Sequence, residues 1–131
     1  MKKKDSKVII KKLRPVFRDT RGDIFDIVED EIHHIGFITF RKGAVRANHY
    51  HKRSTQYTYV IKGKIELMTK DAKHKNAKAK KIIMSEGVLA VIPPFIIHAY
   101  RALTPASIID CTTESRNADG YEKDTIRVVP E

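Results

Sequence analysis

The segment GAVRANHYHKRSTQYTYVIKG, residues 43–63, places His49 and His51 two residues apart and Gln56 five residues further on. Side chains of a β-strand alternate in direction, so the two histidines share a face and Tyr50 points away from it. A hairpin brings Gln56, at the start of the next strand, beside the pair. In that strand Gln56, Thr58 and Val60 take one face, and Tyr57, Tyr59 and Ile61 the other. A second segment, GVLAVIPPFIIHAY at residues 87–100, has a similar layout. Gly87 turns the chain, VLAVI crosses, and Pro93 and Pro94 stop that strand. His98 then comes early in the next strand, on the same face as Tyr100. Three imidazoles and an amide oxygen can do two things. They can hold a transition metal with a position left open, or an imidazole with its ordinary pKa of ~6.5 can act as a general base. Gln56 is neutral, so a bound divalent ion would keep its full charge; that weakens the site relative to a carboxylate version but favours a bound anion or enolate.

The elements that must carry these groups read as strands. Short runs rich in Ile, Val, Tyr, Thr and Phe are separated by glycine, proline and charged clusters. They are KVIIKKL (7–13), DIFDIVE (23–29), IGFITF (35–40), RANHYH (46–51) and QYTYVI (56–61). KIELMT (64–69), KKIIMS (80–85), VLAVI (88–92), IHAYRAL (97–103) and ASIIDCT (106–112) follow. No segment shows a helical period over eleven residues. About ten short strands in a chain of 131 residues predict one all-β domain over residues 1–131, an antiparallel sandwich or barrel. KG at 62–63 marks a tight hairpin, and TIRVV in the polar tail reads as an edge strand or a partner-packing segment. KVIIKKL is expected to add to a partner's sheet in a homodimer.

Composition narrows the class. The chain is 41% hydrophobic and 32% charged, a globular balance. It contains no stretch of eighteen apolar residues, so no transmembrane helix and no membrane partner are expected. The apolar patch Val8–Ile10 is too short for a signal-peptide core, and a cytoplasmic location is expected. The single cysteine, Cys111, allows no internal disulfide and reads as a strand residue rather than a catalytic thiol. The net charge of +10 raises nucleic-acid binding. The lysines, however, cluster at the N-terminus and at residues 70–81, with no helix-turn-helix or zinc-finger spacing. They read as a solvated tail and loop that steer an anionic small molecule, not a nucleic acid. His33 and His34 precede a strand and are expected to be exposed; His74, in the lysine loop, is expected to be solvated.

The two motifs, at residues 43–63 and 87–102, resemble those of the cupin superfamily. Gly43, His49, His51, Gln56 and Gly63 fit the first motif's spacing without a gap, with Gln56 in place of glutamate. Gly87, Pro93 and His98 match the second, where Phe95 stands for a glycine and Ala102 for an asparagine. The resemblance covers roughly residues 36–103 and implies a single-domain jelly-roll β-barrel whose mouth holds the polar residues. DTRGDIFDIVED, GAVRANHYHK…QYTYVIKG and IPPFIIHAY resemble more particularly the cupins acting on nucleotide-linked sugars. These are the 3,4-ketoisomerases and 3,5-epimerases of 4-keto-6-deoxyhexoses and the cupin domain of capsular-polysaccharide enzymes. Ala47 replaces the glycine of the Arg-Gly-Asn-His-Tyr-His stretch found in the last group. His51 argues against the epimerases, which usually have glutamine there.

The resemblance implies catalytic roles for His49, His51 and Tyr100 and substrate-binding roles for Arg21, Arg46 and Tyr59. Arg21 either meets the nucleotide or is a turn residue beside Gly22, Arg46 either contacts a phosphate or is a charged strand terminus, and Tyr100 either donates a proton or fills the barrel. With no tryptophan in the chain, Tyr57, Tyr59 and Tyr100 are the aromatic groups available for stacking. His49, His51, Gln56 and His98 are the implied ligands of a divalent transition metal: zinc, nickel, manganese, iron or copper. The leading expectation is a sugar-nucleotide isomerase that removes a proton next to the carbonyl of a 4-keto-6-deoxyhexose. A metal-dependent cupin of another class, such as a dioxygenase or a different isomerase, is one alternative. A non-catalytic sugar- or effector-binding module is the other.

Overall fold

The computed structural model describes residues 7–128. Its strands are β1 Ile9–Lys12, β2 Phe17–Asp19, β3 Gly22–Ile24, β4 His34–Phe40, β5 Val45–His51 and β6 Gln56–Lys62. β7 Ile65–Asp71, β8 Lys80–Met84, β9 Val88–Ile92, β10 Ile96–Ala102 and β11 Ala106–Thr112 follow, then a short helix α1 Gly120–Asp124 and β12 Thr125–Arg127. Two five-stranded antiparallel sheets face each other in the orders β1-β9-β6-β11-β4 and β12-β5-β10-β7-β8, and β2 and β3 form a hairpin of their own. This is the all-β jelly roll that the motifs imply.

Alternation decides what lies between the sheets. Along β6, Gln56, Thr58 and Val60 are buried while Tyr57 and Tyr59 are half-exposed. Across the sheets the inward residues form layers. Ile65 pairs with Ala102, and Val60 and Ile38 pair with Ile108. These side chains, with Leu67, Met84 and Ile92, make the apolar core. Burying each large aliphatic side chain stabilises the fold by about 1.5–3 kcal/mol. At the other end the layer is polar: His98 pairs with His49 and Thr69, and Thr112 with Gln56 and His34. The apolar plug therefore closes one end of the barrel and leaves the chemistry at the other.

The motif glycines explain themselves only in part. Gly63 has φ +84°, and a Cβ there would sit 2.3 Å from the carbonyl oxygen of Pro105, so the β6–β7 turn admits glycine alone. At two positions where the motifs it resembles carry glycine, this chain places a residue with a Cβ in the left-handed region. Ala47 and Phe95 have φ +73° and +63°, and Asn48 next to Ala47 has φ +65°. A left-handed conformation costs a residue with Cβ about 1–2 kcal/mol. Neighbouring contacts hold both places. The Phe95 N–H donates to the His51 carbonyl at 2.8 Å, and its ring lies 5.7 Å from that of Tyr50. Asn48 is the extra residue of a bulge, since His49 and Ala47 oppose the consecutive residues His98 and Ala99.

Two expectations need correction, on DIFDIVE and on the absence of a helix, and the pairing of the two terminal strands can be stated. Of DIFDIVE only residues 23–24 are strand; Phe25–Glu29 instead run beside Ile35, Ile109 and Cys111 on the outer face of the first sheet. The β1 strand pairs with β9 of its own chain, Ile9 opposite Val91, and forms the edge of that sheet. The helix α1 went unread because five residues are too few to show a helical period. TIRVV does form an edge strand along β5, but only over Thr125–Arg127, with Ile126 opposite Tyr50; Val129 lies outside the described residues.

Candidate active site

Between the polar ends of the two sheets lies a cavity of about 180 Å³. His49, His51, Gln56, Tyr100 and Arg46 line it, and His98 stands behind them. The ring centroids of His49 and His98 are 4.7 Å apart, those of His49 and His51 4.9 Å, and those of His51 and His98 5.5 Å. Each of the three offers a ring nitrogen within 4.8 Å of those of the other two.

The three imidazoles are held differently. His98 is fully buried, and its Nδ1 lies 3.0 Å from the Ile96 carbonyl. A carbonyl only accepts, so Nδ1 carries the proton, and the lone pair of Nε2 is left without a partner. Burial pulls the pKa of His98 down to about 3, with neighbouring His49 a smaller cause. His51 has a partner at each nitrogen: Nε2 is 3.0 Å from Gln56 Oε1, and Nδ1 is 3.2 Å from the Thr125 hydroxyl and 3.4 Å from Asp124 Oδ2. Burial lowers its pKa, while Gln56 and Asp124 act the other way. His49 has no hydrogen bond on its ring. Burial, then His51 and the arginines Arg127 and Arg116, bring its pKa down to about 4. All three are therefore neutral near pH 7, and His49 is the one whose ring nitrogens are uncommitted.

Gln56 is fixed from behind. Its amide donates to the Tyr100 hydroxyl at 2.8 Å, and that hydroxyl is 2.6 Å from Thr58 Oγ1. This network aims Oε1 at His51. Tyr100, only 3% exposed, is thus spent on positioning, and burial drives its pKa far above the ordinary phenol value. A weakened acid with its hydroxyl engaged is poorly suited to proton donation.

Of the residues singled out in the sequence, His49, His51, Gln56, His98, Tyr100 and Arg46 come together. Arg21 and Tyr59 do not. Arg21 sits in the β2–β3 turn, where its guanidinium binds Asp19 at 2.6 and 2.9 Å, and that hairpin pairs with neither large sheet. Tyr59 occupies an outward position of β6, between Leu89 and Ile109 on the neighbouring strands. His34, expected to be exposed, lines the cavity, because it is the first inward residue of β4. His74 is exposed as expected, bonded to Asp71 at 2.9 Å. Cys111 is buried, and burial raises its thiol pKa, so it behaves as a packing residue.

Sequence reasoning passed over Asp110, Arg116, Tyr121 and Asp124. Asp110 carried a signal, since one carboxylate inside the apolar run ASIIDC is unusual for a buried strand. The other three lie in the polar tail and carried none. There α1 and β12 fold back along β5, with Thr125 opposite His51. That places the buried Asp124 beside His51, where it also accepts from the Arg53 N–H at 2.7 Å. Tyr121 stands edge-on to His49 at 6.3 Å, and the Arg116 guanidinium covers its ring at 4.1 Å.

The sequence model of the cupin family, described as Cupin, matches residues 34–122. No curated protein sequence matches significantly. Among solved structures, the dTDP-4-dehydrorhamnose 3,5-epimerase of Sulfolobus tokodaii superposes with TM-score 0.73 at 23% identity, covering 92% of this chain and 76% of that one. A 3,4-ketoisomerase of Helicobacter canadensis gives 0.76 at 20%, covering 95% and 92%. A variant of the 3,4-ketoisomerase QdtA from Thermoanaerobacterium thermosaccharolyticum, in complex with TDP-4-keto-6-deoxyglucose, gives 0.75 at 20%, covering 92% and 87%. Identities this low speak to the fold, and with the family match over residues 34–122 they lead to one conclusion: the chain belongs to the cupin family.

Proposed function

We propose that the chain is a sugar-nucleotide isomerase that takes a 4-keto-6-deoxyhexose and moves its carbonyl by removing the proton on the adjacent carbon. The observation that carries this reading is His49: neutral, without a hydrogen bond, and lining the cavity. Removing a proton next to a carbonyl requires such a base. His51 supports it. A proton arriving at its Nδ1 finds Asp124 Oδ2 at 3.4 Å to accept it. The pair can therefore hold one carbon-derived proton and return it to the neighbouring carbon. A cavity of about 180 Å³ is smaller than the ~300–1,000 Å³ of pockets that enclose drug-sized ligands. It suits one sugar ring, with the nucleotide outside the mouth. Arg46 and Arg116 line the cavity and offer cations to a pyrophosphate, and the net charge of +10 draws an anion in. The structural neighbours that bind or act on TDP-sugars support the same substrate class. The test is a panel of nucleotide-linked 4-ketohexoses followed by proton NMR in deuterated water. Loss of the carbon-bound proton signal with appearance of the isomer is expected; no exchange with any member of the panel overturns the reading.

A specific observation favours a second use of the same residues. The bare Nε2 of buried His98, facing His49 and His51, suits a divalent transition metal such as zinc, nickel, manganese, iron or copper. His49, His51, His98 and Gln56 would hold it, and it would supply polarisation of a carbonyl oxygen. Metal–nitrogen bonds of ~2.0–2.1 Å would need the rings to close inward from their present spacing of up to 4.8 Å. His51 would move its proton to Nδ1, where Asp124 accepts it, as metal-bound histidines commonly do. A ligated His49 is no longer a base, so the two uses exclude each other at that residue. Elemental analysis separates them. On this second reading the wild type carries metal, His49→Ala and His98→Ala lose most of it, and Gln56→Glu binds it more tightly. Protein that is metal-free and refuses added zinc ends it.

A homodimer is the proposed assembly, through the outer face of the first sheet. There Ile35 and Phe37 are 68% and 65% exposed beside Ile109 and Phe25. Light-scattering mass at micromolar concentration tests it, with Phe37→Asp expected to shift the protein toward monomer.

A further inference from the structure

Among the described residues three buried side-chain atoms lack a hydrogen-bond partner: His98 Nε2, His34 Nδ1 and Asp110 Oδ1. Such orphans call for an explanation, and all three belong to the walls of one cavity or stand directly behind them. Asp110 is the most demanding of them. A carboxyl group withdrawn from water is costly unless something binds it.

The surroundings of Asp110 are specific. It points inward from β11, with Gly36 of β4 on one side and Thr58 of β6 on the other. The φ of Gly36 is not in the left-handed range, so its backbone does not require glycine; a Cβ there would come within 3.1 Å of the His34 ring. The missing side chain leaves room beside Asp110 into which His34 leans. The groups facing Asp110 are therefore His34 from β4, Thr58 from β6, Tyr100 from β10 and Arg116 from the segment before α1. Thr58 and Tyr100 are bonded to each other at 2.6 Å, and Arg116 lies over Tyr121. Burial pulls the pKa of His34 down, so it brings no positive charge.

Moving a carbonyl to the next carbon relocates protons on oxygen as well as on carbon. The neutral histidines serve the carbon proton. Tyr100, engaged and weakened as an acid, does not serve the oxygens. We infer that Asp110 moves the oxygen protons of the reaction, giving one to the carbonyl oxygen and taking one from the adjacent hydroxyl. This rests on the isomerase reading and assigns the second half of its proton traffic. The histidine takes the proton from C3; the C3–H electrons become the C3=C4 bond, and the carbonyl π electrons go to O4, which takes the Asp110 proton. The Asp110 carboxylate then removes the O3 proton. The O–H electrons form the C3=O3 bond, and the C=C electrons take the histidine's proton at C4. Substrate is isomerised, Asp110 is again protonated and the histidine again neutral. Burial helps by raising the pKa of Asp110 to about 7, so a carboxyl that would otherwise be ionised keeps its proton near neutrality.

The test uses Asp110→Asn, an amide of the same shape that can form hydrogen bonds but cannot pass a proton. With TDP-4-keto-6-deoxyglucose as substrate, isomerisation is expected to fall by ~10²–10⁴-fold, while TDP binding by calorimetry stays within about twofold. In the wild type, kcat/KM should fall as pH rises through about 7, where Asp110 loses its proton, and the variant should lack that limb. A variant as fast as the wild type overturns the assignment. So does a wild-type profile with no fall above neutrality, a measurement that needs no variant to fold. If the wild type isomerises none of the panel, the proposed function fails and this assignment with it; the wild-type control tells that failure from a failure of Asp110 alone.

Discussion

Replacing Tyr100 by phenylalanine separates two accounts of that residue. As a catalytic acid, its loss would lower turnover by ~10²–10⁴-fold and hardly touch stability. The structure makes it a positioning residue, and the expected outcome is the reverse in weight. Its hydroxyl bonds Gln56 Nε2 at 2.8 Å and Thr58 Oγ1 at 2.6 Å in a fully buried setting. Phenylalanine removes both bonds, at about 0.5–1.5 kcal/mol each. It also leaves the Gln56 amide short of an acceptor, which is costly in a dry site. Only Thr58 Oγ1, at 3.4 Å, remains for that amide. A loss of about 2–3 kcal/mol follows, which for a chain of this length is a fall in Tm of roughly 6–15 °C. Activity should drop by only about tenfold, through a loosened Gln56 and hence His51. Thermal unfolding by circular dichroism and the NMR isomerase assay read the two quantities. An unchanged Tm with a thousandfold loss of turnover would refute the positioning argument.

Three further outcomes are expected. Gly63→Ala puts a Cβ against the Pro105 carbonyl oxygen at φ +84°, so urea unfolding should show a loss above about 3 kcal/mol, against about 1–2 kcal/mol for Gly43→Ala, which shares the left-handed strain but has nothing within 4 Å of a Cβ. Asp124→Asn keeps an acceptor for the Arg53 N–H but removes the charge 3.4 Å from His51, so proton exchange should slow by at least tenfold with Tm nearly unchanged, checked by NMR and calorimetry. Acid stability should fall as pH drops from about 6.5 toward 4. His49 and His98, with pKa values lowered to about 4 and 3, bind protons more readily once unfolded, each giving up to ~1.4 kcal/mol per pH unit. Asp110, raised to about 7, opposes them, because between about 4 and 7 it holds its proton more tightly when folded. Asp110→Asn in chelator-treated protein should therefore steepen the loss by about one proton's worth, and an unchanged slope would contradict the burial argument for Asp110.

The strands were legible because their signal is local. Val88–Ile92 and Ala106–Thr112 stand where the alternating or continuous apolar runs between turn residues place them. His49, His51, Gln56 and His98 could also be read as one site, since the spacing of both motifs and the two-residue period of a strand fix the face each takes. The same period, followed through, already set Tyr59 on the face away from Gln56. What the sequence left open depends on which strands pair. Asp124 meets His51 only because β12 folds back on β5, a contact 73 residues apart in the chain carried by a tail with no periodicity. His34 and Asp110 become site residues only because β4 lies beside β11, with Gly36 opposite the carboxyl. The role of Tyr100 turned on a hydroxyl bonded to Gln56 and Thr58, a matter of packing distance rather than residue type. Local alternation determines which way a side chain points, whereas its partner, its burial and therefore its pKa are set by strands brought together from distant parts of the chain.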